Sequence, residues 1–360
     1  MTHDRDAMFL HGGPDDGAPV RHDFSTNANA CGPCPEVLAA VRRADATRYP
    51  DPRYTALRER LARFHGVDAR RIAIAASASE FVFRITAAIA RRGGRGVALP
   101  THGYGDYARA AQAWGLVPGR ASDARLDLPR PEEPPALAWH CDPSSPLGQP
   151  VPALGDRIDA LAPSTACVLD LAYEPLRLEG CLDLTRARMD RVWQLWTPNK
   201  ALGLTGVRAA YAIAPLEGSE LVEDLRCMAP SWAAGSQGVA MLEGWCDAAA
   251  QDWMTSSRAL LRAWRTRQLA LCGELGWRLQ PTVANFLCAD PGVVDLTAWA
   301  SSLRDQGIKV RDATSFGLRD HCRIAVLAPH AQDALRAALL SGPSFPRRAS
   351  LPASRSRLPS

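Results

Sequence analysis

Between residues 54 and 215 short apolar runs alternate with segments of helical period. The runs "RIAIAAS", "RGVALP", "ALAWHCDP" and "ACVLDLAY" each end in polar or turn residues, as buried strands do. "YTALRERLARF" puts Tyr54, Leu57, Leu61 and Phe64 on one helical stripe, and residues 79–91 and 104–114 read as helices between the strands. Apolar strands separated by helices predict an α/β fold with a mostly parallel central sheet covered by helices. Ligands of such sheets bind at the carboxyl ends of the strands, so the chemistry is sought where these runs stop.

From about residue 217 the pattern changes. Helical material over roughly 237–275 is followed by "PTVANFLCAD", a helix near 295–306, the short strands "IKVRD" and "CRIAVL", and a final helix. This predicts a second, smaller α/β unit made from the two chain ends. The division that follows is an N-terminal arm over residues 1–34 joining the small domain, a large domain over 35–230, a small domain over 231–340 and a flexible tail over 341–360. The tail rests on composition: "SGPSFPRRASLPASRSRLPS" has four arginines, no acid and too little apolar surface to order itself.

Composition removes several function classes. The chain has 360 residues, 47% hydrophobic and 22% charged, with a formal charge of +4. Because Arg347, Arg348, Arg355 and Arg357 all lie in the tail, the folded part is near neutral and no nucleic-acid partner is expected. There is no run of about 18 apolar residues, and "MTHDRDAMFLHGG" lacks a signal-peptide core, which predicts a cytoplasmic protein without a membrane partner. Ten cysteines are scattered singly except for Cys31-Gly-Pro-Cys34, so neither a disulfide framework nor a metal site is expected. Gly93, Gly94 and Gly96 precede a strand instead of following one, which disfavours a dinucleotide or P-loop fingerprint.

The richest segment is "QLWTPNKALGLTGVRAAYAIAP", residues 194–215, where Lys200 follows an apolar strand, Thr197 lies three residues before it and Arg208 eight after. Thirty residues before the lysine, "ACVLDLAYEP" ends a buried strand on Asp170, with Tyr173 three further on. Taken singly, a lysine at a strand end is usually a solvated cation and an aspartate there usually a helix cap. The ordered set resembles the aspartate-aminotransferase-like enzymes that use pyridoxal 5′-phosphate. That resemblance implies Lys200 as the residue that carries the cofactor, Asp170 as partner of the pyridine nitrogen, Tyr173 on the ring oxygen, and Thr197 and Arg208 on the phosphate. The physical demand is an amine within reach of an aldehyde, with hydroxyl and guanidinium donors beside a dianion.

The resemblance extends outward. "LPTHGYGDYARAA" matches the family's segment whose aromatic residue, here Tyr104, stacks on the ring. "AASASEFVFR" occupies the phosphate turn, where Ser77, Ala78 and Ser79 would present backbone N–H groups at a helix N-terminus; an ordinary serine cap is the plainer reading. "CDPSSPLGQP" stands for the family's Asn-Pro-Asn-Asn-Pro-Thr-Gly turn, with Ser145 replacing the asparagine that bonds the ring oxygen.

"HGGPDDGAPVRHDFSTNANACGP" resembles the opening of the cobalamin-pathway threonine-phosphate decarboxylases, close relatives of histidinol-phosphate aminotransferases, and implicates His11, Gly12 and Asn29 in substrate binding. Cys31 and Cys34 fall in that loop and read as incidental, with a dithiol oxidoreductase as the minority reading. "TRYPDPRYTALRERLA" implies that Tyr49 reaches the partner site of a homodimer, and "ANFL" and "IKVRDATSFGLRDHCRIAV" supply Asn285, Arg311 and Arg323, the arginines for substrate phosphate and carboxylate. The resemblance covers about residues 11–338. It implies decarboxylation of L-threonine O-3-phosphate, a small phosphorylated amino acid, in cobalamin biosynthesis. The alternatives are a histidinol-phosphate-type aminotransferase, or a non-catalytic binding protein of the same fold motivated by Ser145 and the altered phosphate turn.

Overall fold

The computed structural model describes residues 12–120, 133–217 and 219–348. Its strands, in chain order, are β1 (His22–Asp23), β2 (Ile72–Ala75), β3 (Gly96–Leu99), β4 (Val117–Arg120), β5 (Leu137–Cys141), β6 (Ala166–Asp170), β7 (Trp193–Trp196), β8 (Ala210–Ile213), β9 (Arg278–Leu279), β10 (Phe286–Asp290), β11 (Ile308–Lys309), β12 (Arg311–Asp312) and β13 (Cys322–Ala325).

The apolar runs of the first half form one sheet in the order β2-β8-β7-β6-β5-β3-β4, in which β8 runs antiparallel to both neighbours and the remaining pairs are parallel. This is the expected mostly parallel α/β fold. Every residue of β2 and β8 is buried, because helices cover both faces. On one face Phe81, Val82 and Ile85 of the helix Ala78–Arg91 pack onto Leu99, Leu137 and Trp193. On the other, Leu57 and Leu61 of Thr55–His65 meet Ile74, Tyr211 and Met241. Each such side chain stabilises the fold by about 1.5–3 kcal/mol relative to exposure.

The second sheet is antiparallel, β12-β13-β10-β9, and the short β1 pairs in parallel with β11. Phe24 N donates to the Lys309 carbonyl at 2.8 Å, and Ala325 N donates to the Phe24 carbonyl at 2.7 Å. The segment around Phe24 is thus woven into strands about 300 residues further on by main-chain hydrogen bonds.

Four details differ from the sequence reading. The helical stretch 237–275 is two helices, Ser236–Trp245 and Ala248–Glu274, because Asp247 is extended and Gln251 Nε2 donates to the Trp245 carbonyl at 2.6 Å. "IKVRD" is broken at Val310, so that β11 serves β1 and β12 serves β13. Phe64, assigned to the buried stripe, is 37% exposed and lies edge-on to Trp245. Residues 342–348, assigned to the flexible tail, make contacts: the final helix ends at Ser341, yet Val294 N donates to the Pro346 carbonyl at 2.9 Å, Arg347 forms a bridge with Val293, and Arg348 pairs with Asp290 and Asp320. This segment lacks apolar material, but Arg348 finds two carboxylates, Asp290 at the end of β10 and Asp320 just before β13; residues 349–360 lie outside the described residues.

Candidate active site

The sheet's topology decides which loops meet. β2, β3, β5, β6 and β7 run the same way, so their carboxyl ends share one edge, and the reversed β8 enters the sheet from that edge. Ala75 of β2 pairs with Ala210 of β8, and Trp196 of β7 pairs with Tyr211. The turn Ala76-Ser77, the segment Thr197–Lys200 and Arg208 are therefore brought to neighbouring positions from three distant stretches of chain.

At this end lie the groups suited to a phosphate. Ser77 caps the helix Ala78–Arg91, its Oγ accepting from Glu80 N at 3.0 Å, as a plain capping serine does. The Ala78 and Ser79 amides are first-turn donors with no acceptor among the described residues, which makes the helix start an anion site. Ser79 Oγ is engaged by Asp106 at 2.5 Å. Thr197 is buried with its hydroxyl on Asn199 Oδ1 at 2.8 Å, whereas Arg208 is exposed and makes no side-chain hydrogen bond or ion pair among the described residues.

Asp170 ends β6 in the middle of the sheet and is buried. Burial pushes its carboxyl above the ordinary carboxylate range, against hydrogen bonds from Tyr107 Oη at 2.5 Å and Ala172 N at 2.9 Å and the nearby charge of Lys200. Lys200 is half-buried; its ammonium has no hydrogen bond or ion pair among the described residues and lies 5.4 Å from the centroid of the Tyr173 ring. An amine held this way is available to a reaction partner. The N-terminal segment clamps its loop: Asn29 N donates to the Lys200 carbonyl at 2.9 Å, Asn29 Nδ2 to Ala201 O at 3.0 Å, and Cys34 N to Leu202 O at 2.9 Å. Tyr104, the residue before the helix Gly105–Ala113, is half-buried with its ring edge-on to Tyr107.

The small sheet supplies the opposite wall. Arg311 and Arg323 face each other in register across β12 and β13, and both guanidinium groups sit over the Phe316 ring, at 5.1 and 5.6 Å. Burial and the charge of Arg323 pull Arg311 down to about 10. Arg323 donates to Ser145 Oγ at 3.0 Å and to the Ser25 carbonyl at 3.1 Å, and forms no ion pair among the described residues. Its Nε, Asn27 Oδ1 and Asn285 Oδ1 are buried without partners among those residues, a set of donors and acceptors awaiting a ligand. Asn285 Nδ2 ties the wall to the arm through the carbonyls of Asn27 and Ala28 at 3.3 and 3.2 Å. Gly12 is pressed into this arm; a Cβ there would lie 2.1 Å from the Ser25 carbonyl and 2.9 Å from Arg323 Nη2.

The turn bearing Ser145 is braced by a buried ion pair between Arg177 and Asp142, with Glu174 accepting from Arg177 Nε at 2.6 Å. Arg177→Met leaves the buried Asp142 carboxylate and the partly buried Glu174 carboxylate without their shared cation. A loss of about 3–5 kcal/mol follows, read as a lowered denaturant midpoint, and an unchanged midpoint contradicts it.

Tyr49 stands apart from these residues, 76% exposed and stacked on Trp232 at 4.2 Å. His11 lies outside the described residues. Cys31 and Cys34 are free, and burial raises both thiols, the reverse of what a redox pair needs. Tyr107 and Phe316 were not legible as site residues. The signal that could have found Tyr107 was its place three residues after Tyr104, one turn into the helix; for Phe316 there was none.

A model of aminotransferases of class I and II matches residues 22–340. Histidinol-phosphate aminotransferase of Rhodospirillum centenum is 30% identical over 322 residues, spanning 85% of this chain and 87% of that protein. Among solved structures, histidinol-phosphate aminotransferase from Sinorhizobium meliloti in complex with pyridoxal-5′-phosphate superposes with a TM-score of 0.76 at 24% identity, over 94% of this chain and 96% of that one. L-threonine-O-3-phosphate decarboxylase from Porphyromonas gingivalis gives 0.74 at 19% identity, over 88% of this chain and 98% of that one. At these identities the two structures speak to fold alone.

Proposed function

From the premise that this chain belongs to the class I and II aminotransferase family, we propose that it is a pyridoxal-phosphate-dependent aminotransferase for a phosphorylated amine of the histidinol-phosphate kind. The observation that carries this reading is the Lys200 amine, without hydrogen bond or ion pair among the described residues, on the same sheet edge as buried Asp170 and opposite the buried guanidinium groups of Arg311 and Arg323. The aminotransferase relatives support it over the decarboxylase that the N-terminal resemblance implies.

The residues fit the cofactor. The Ala78 and Ser79 amides, Thr197 and Arg208 would hold its phosphate, Asp170 and Tyr173 its ring polar atoms, Tyr104 its face and Lys200 its aldehyde carbon. When bound, the group serves as an electron sink for the bond broken at the substrate α-carbon. Asp170 holds a proton at the pyridine nitrogen, which sustains that sink. Arg323 would bind the carboxylate of the amino-acid partner, such as glutamate, and Arg311 the phosphate of the amine, so each substrate is held by a guanidinium. Lys200 would take the proton from the substrate α-carbon and deliver it on the cofactor side; water would then release the carbonyl product, and the amino group would pass to an oxo acid such as 2-oxoglutarate by the reverse sequence.

The decarboxylase reading stays second because Gly12, from the opening that carries it, packs against Arg323. If those contacts set the carboxylate to leave, carbon dioxide is the product. The test offers the chain, with pyridoxal phosphate, either L-glutamate or L-threonine O-3-phosphate. Formation of 2-oxoglutarate supports amino transfer, carbon dioxide release overturns it in favour of decarboxylation, and absence of cofactor uptake favours the non-catalytic alternative. The exposed Tyr49–Trp232 stack supports a homodimer in which Tyr49 serves the partner site.

A further inference from the structure

Asp170 is gripped by a residue that none of the proposed roles includes. Tyr107, from the helix Gly105–Ala113, is 1% exposed, and its ring is stacked on Trp139 of β5 at 4.4 Å with 13° between the planes. Its hydroxyl reaches Asp170 Oδ2 at 2.5 Å, while Ala172 N reaches Oδ1 at 2.9 Å. Each carboxylate oxygen thus has one donor inside the protein and lone-pair capacity left over.

Resting on the cofactor reading above, we propose that Tyr107 is a positioning residue that locks Asp170 in its ionised form and in the rotamer that presents its remaining lone pairs to the pyridine nitrogen. The argument is one of competition. Burial favours a neutral carboxyl at Asp170, and a neutral carboxyl cannot pair with a protonated pyridine. A phenol hydroxyl donating at 2.5 Å favours the carboxylate, since an O–H to an anion is among the stronger hydrogen bonds. The other titratable groups facing Asp170 are Lys200 from the loop after β7, Cys141 of β5 and Tyr104 ahead of the helix. Of these, Lys200 favours the carboxylate through its charge, but as the residue proposed to form a bond with the cofactor it does not keep that charge fixed through turnover. Tyr107 is buried, stacked and outside the reacting groups, so its contribution stays constant.

The infrared carbonyl band of a protonated carboxyl reads this directly. The full chain is titrated as wild type, Tyr107→Phe, Trp139→Phe and Asp170→Asn, the last assigning the band by its loss. In Tyr107→Phe, which keeps the ring and its stack, the midpoint moves up by roughly one pH unit; in Trp139→Phe, which disturbs the stack but keeps the hydroxyl, it stays. At a pH below the wild-type midpoint, where the variant has about tenfold less ionised Asp170, Tyr107→Phe needs about tenfold more pyridoxal phosphate for half-saturation. An unmoved midpoint in Tyr107→Phe, or an equal shift in both aromatic variants, overturns the proposal and reduces Tyr107 to packing. Should the wild type take up no cofactor through Lys200, the cofactor reading falls, and the infrared comparison still decides whether Tyr107 sets the state of Asp170.

Discussion

Lys200→Ala drops amino transfer to background, a loss of at least about 10⁴-fold, because one substitution removes both the covalent attachment and the proton carrier. Lys200→Arg gives the same loss, since a guanidinium neither deprotonates nor condenses with an aldehyde. Stability does not follow activity. Lys200 is half-buried and its ammonium has no hydrogen bond or ion pair among the described residues, so its removal strands no partner. The backbone clamp from Asn29 onto the Lys200 carbonyl survives any side-chain change. The check is paired: turnover with 2-oxoglutarate as acceptor, and the denaturant midpoint. Retained turnover in Lys200→Ala removes the cofactor assignment altogether, whereas a lowered midpoint indicates a structural duty that the geometry does not contain.

The second large effect is at Arg323, where function and stability should move in opposite directions. Arg323→Met raises the KM for glutamate by roughly 10²–10³-fold, because its carboxylate no longer meets a charged, two-pronged donor in a dry pocket. Cofactor uptake is retained, because Arg323 contacts neither Lys200 nor Asp170, and Ser145, to which it donates, keeps its hydroxyl for the ring oxygen. At the same time the fold gains. Arg323 is buried, its guanidinium is disfavoured by desolvation, and the nearest carboxylate to influence it, Asp23, is engaged by Ser25 and Thr26. A methionine between the Phe286 and Phe316 rings removes that cost, so the denaturant midpoint rises. Arg323→Lys keeps the charge without the planar fork and recovers little of the affinity. An unchanged KM in Arg323→Met places the substrate carboxylate elsewhere; an unchanged or lowered midpoint shows that the guanidinium is better compensated than its contacts indicate.

These two residues also mark how legible the protein was. Lys200 could be read because its setting is local: a strand, a turn and a returning strand keep Thr197, Lys200 and Arg208 within one short stretch of chain, and backbone geometry carries that spacing into space. Asp170 at the end of an apolar run is local in the same way. Arg323 was found only through resemblance, since nothing in "HCRIAV" distinguishes it from a solvated arginine until β12 is laid beside β13 and Phe316 beneath both.

By itself, the sequence determined the alternation of buried strands and helices, and hence a sheet with its chemistry at one edge, because apolar period and turn residues act over a few residues. It also determined the order of the chemical groups along the chain. Tertiary structure alone decided which of them share a site. The reversal of β8 brought Arg208 back to the edge that Ser77 and Lys200 occupy. Pairing of β1 with β11 drew Gly12 and Ser25 across to Arg323, while Asn29 reached the loop of Lys200 and Tyr49 was left outside on the surface. The hydroxyl of Tyr107 found Asp170 across 63 residues of sequence. Contacts of this kind arise from long-range packing, which no local pattern encodes.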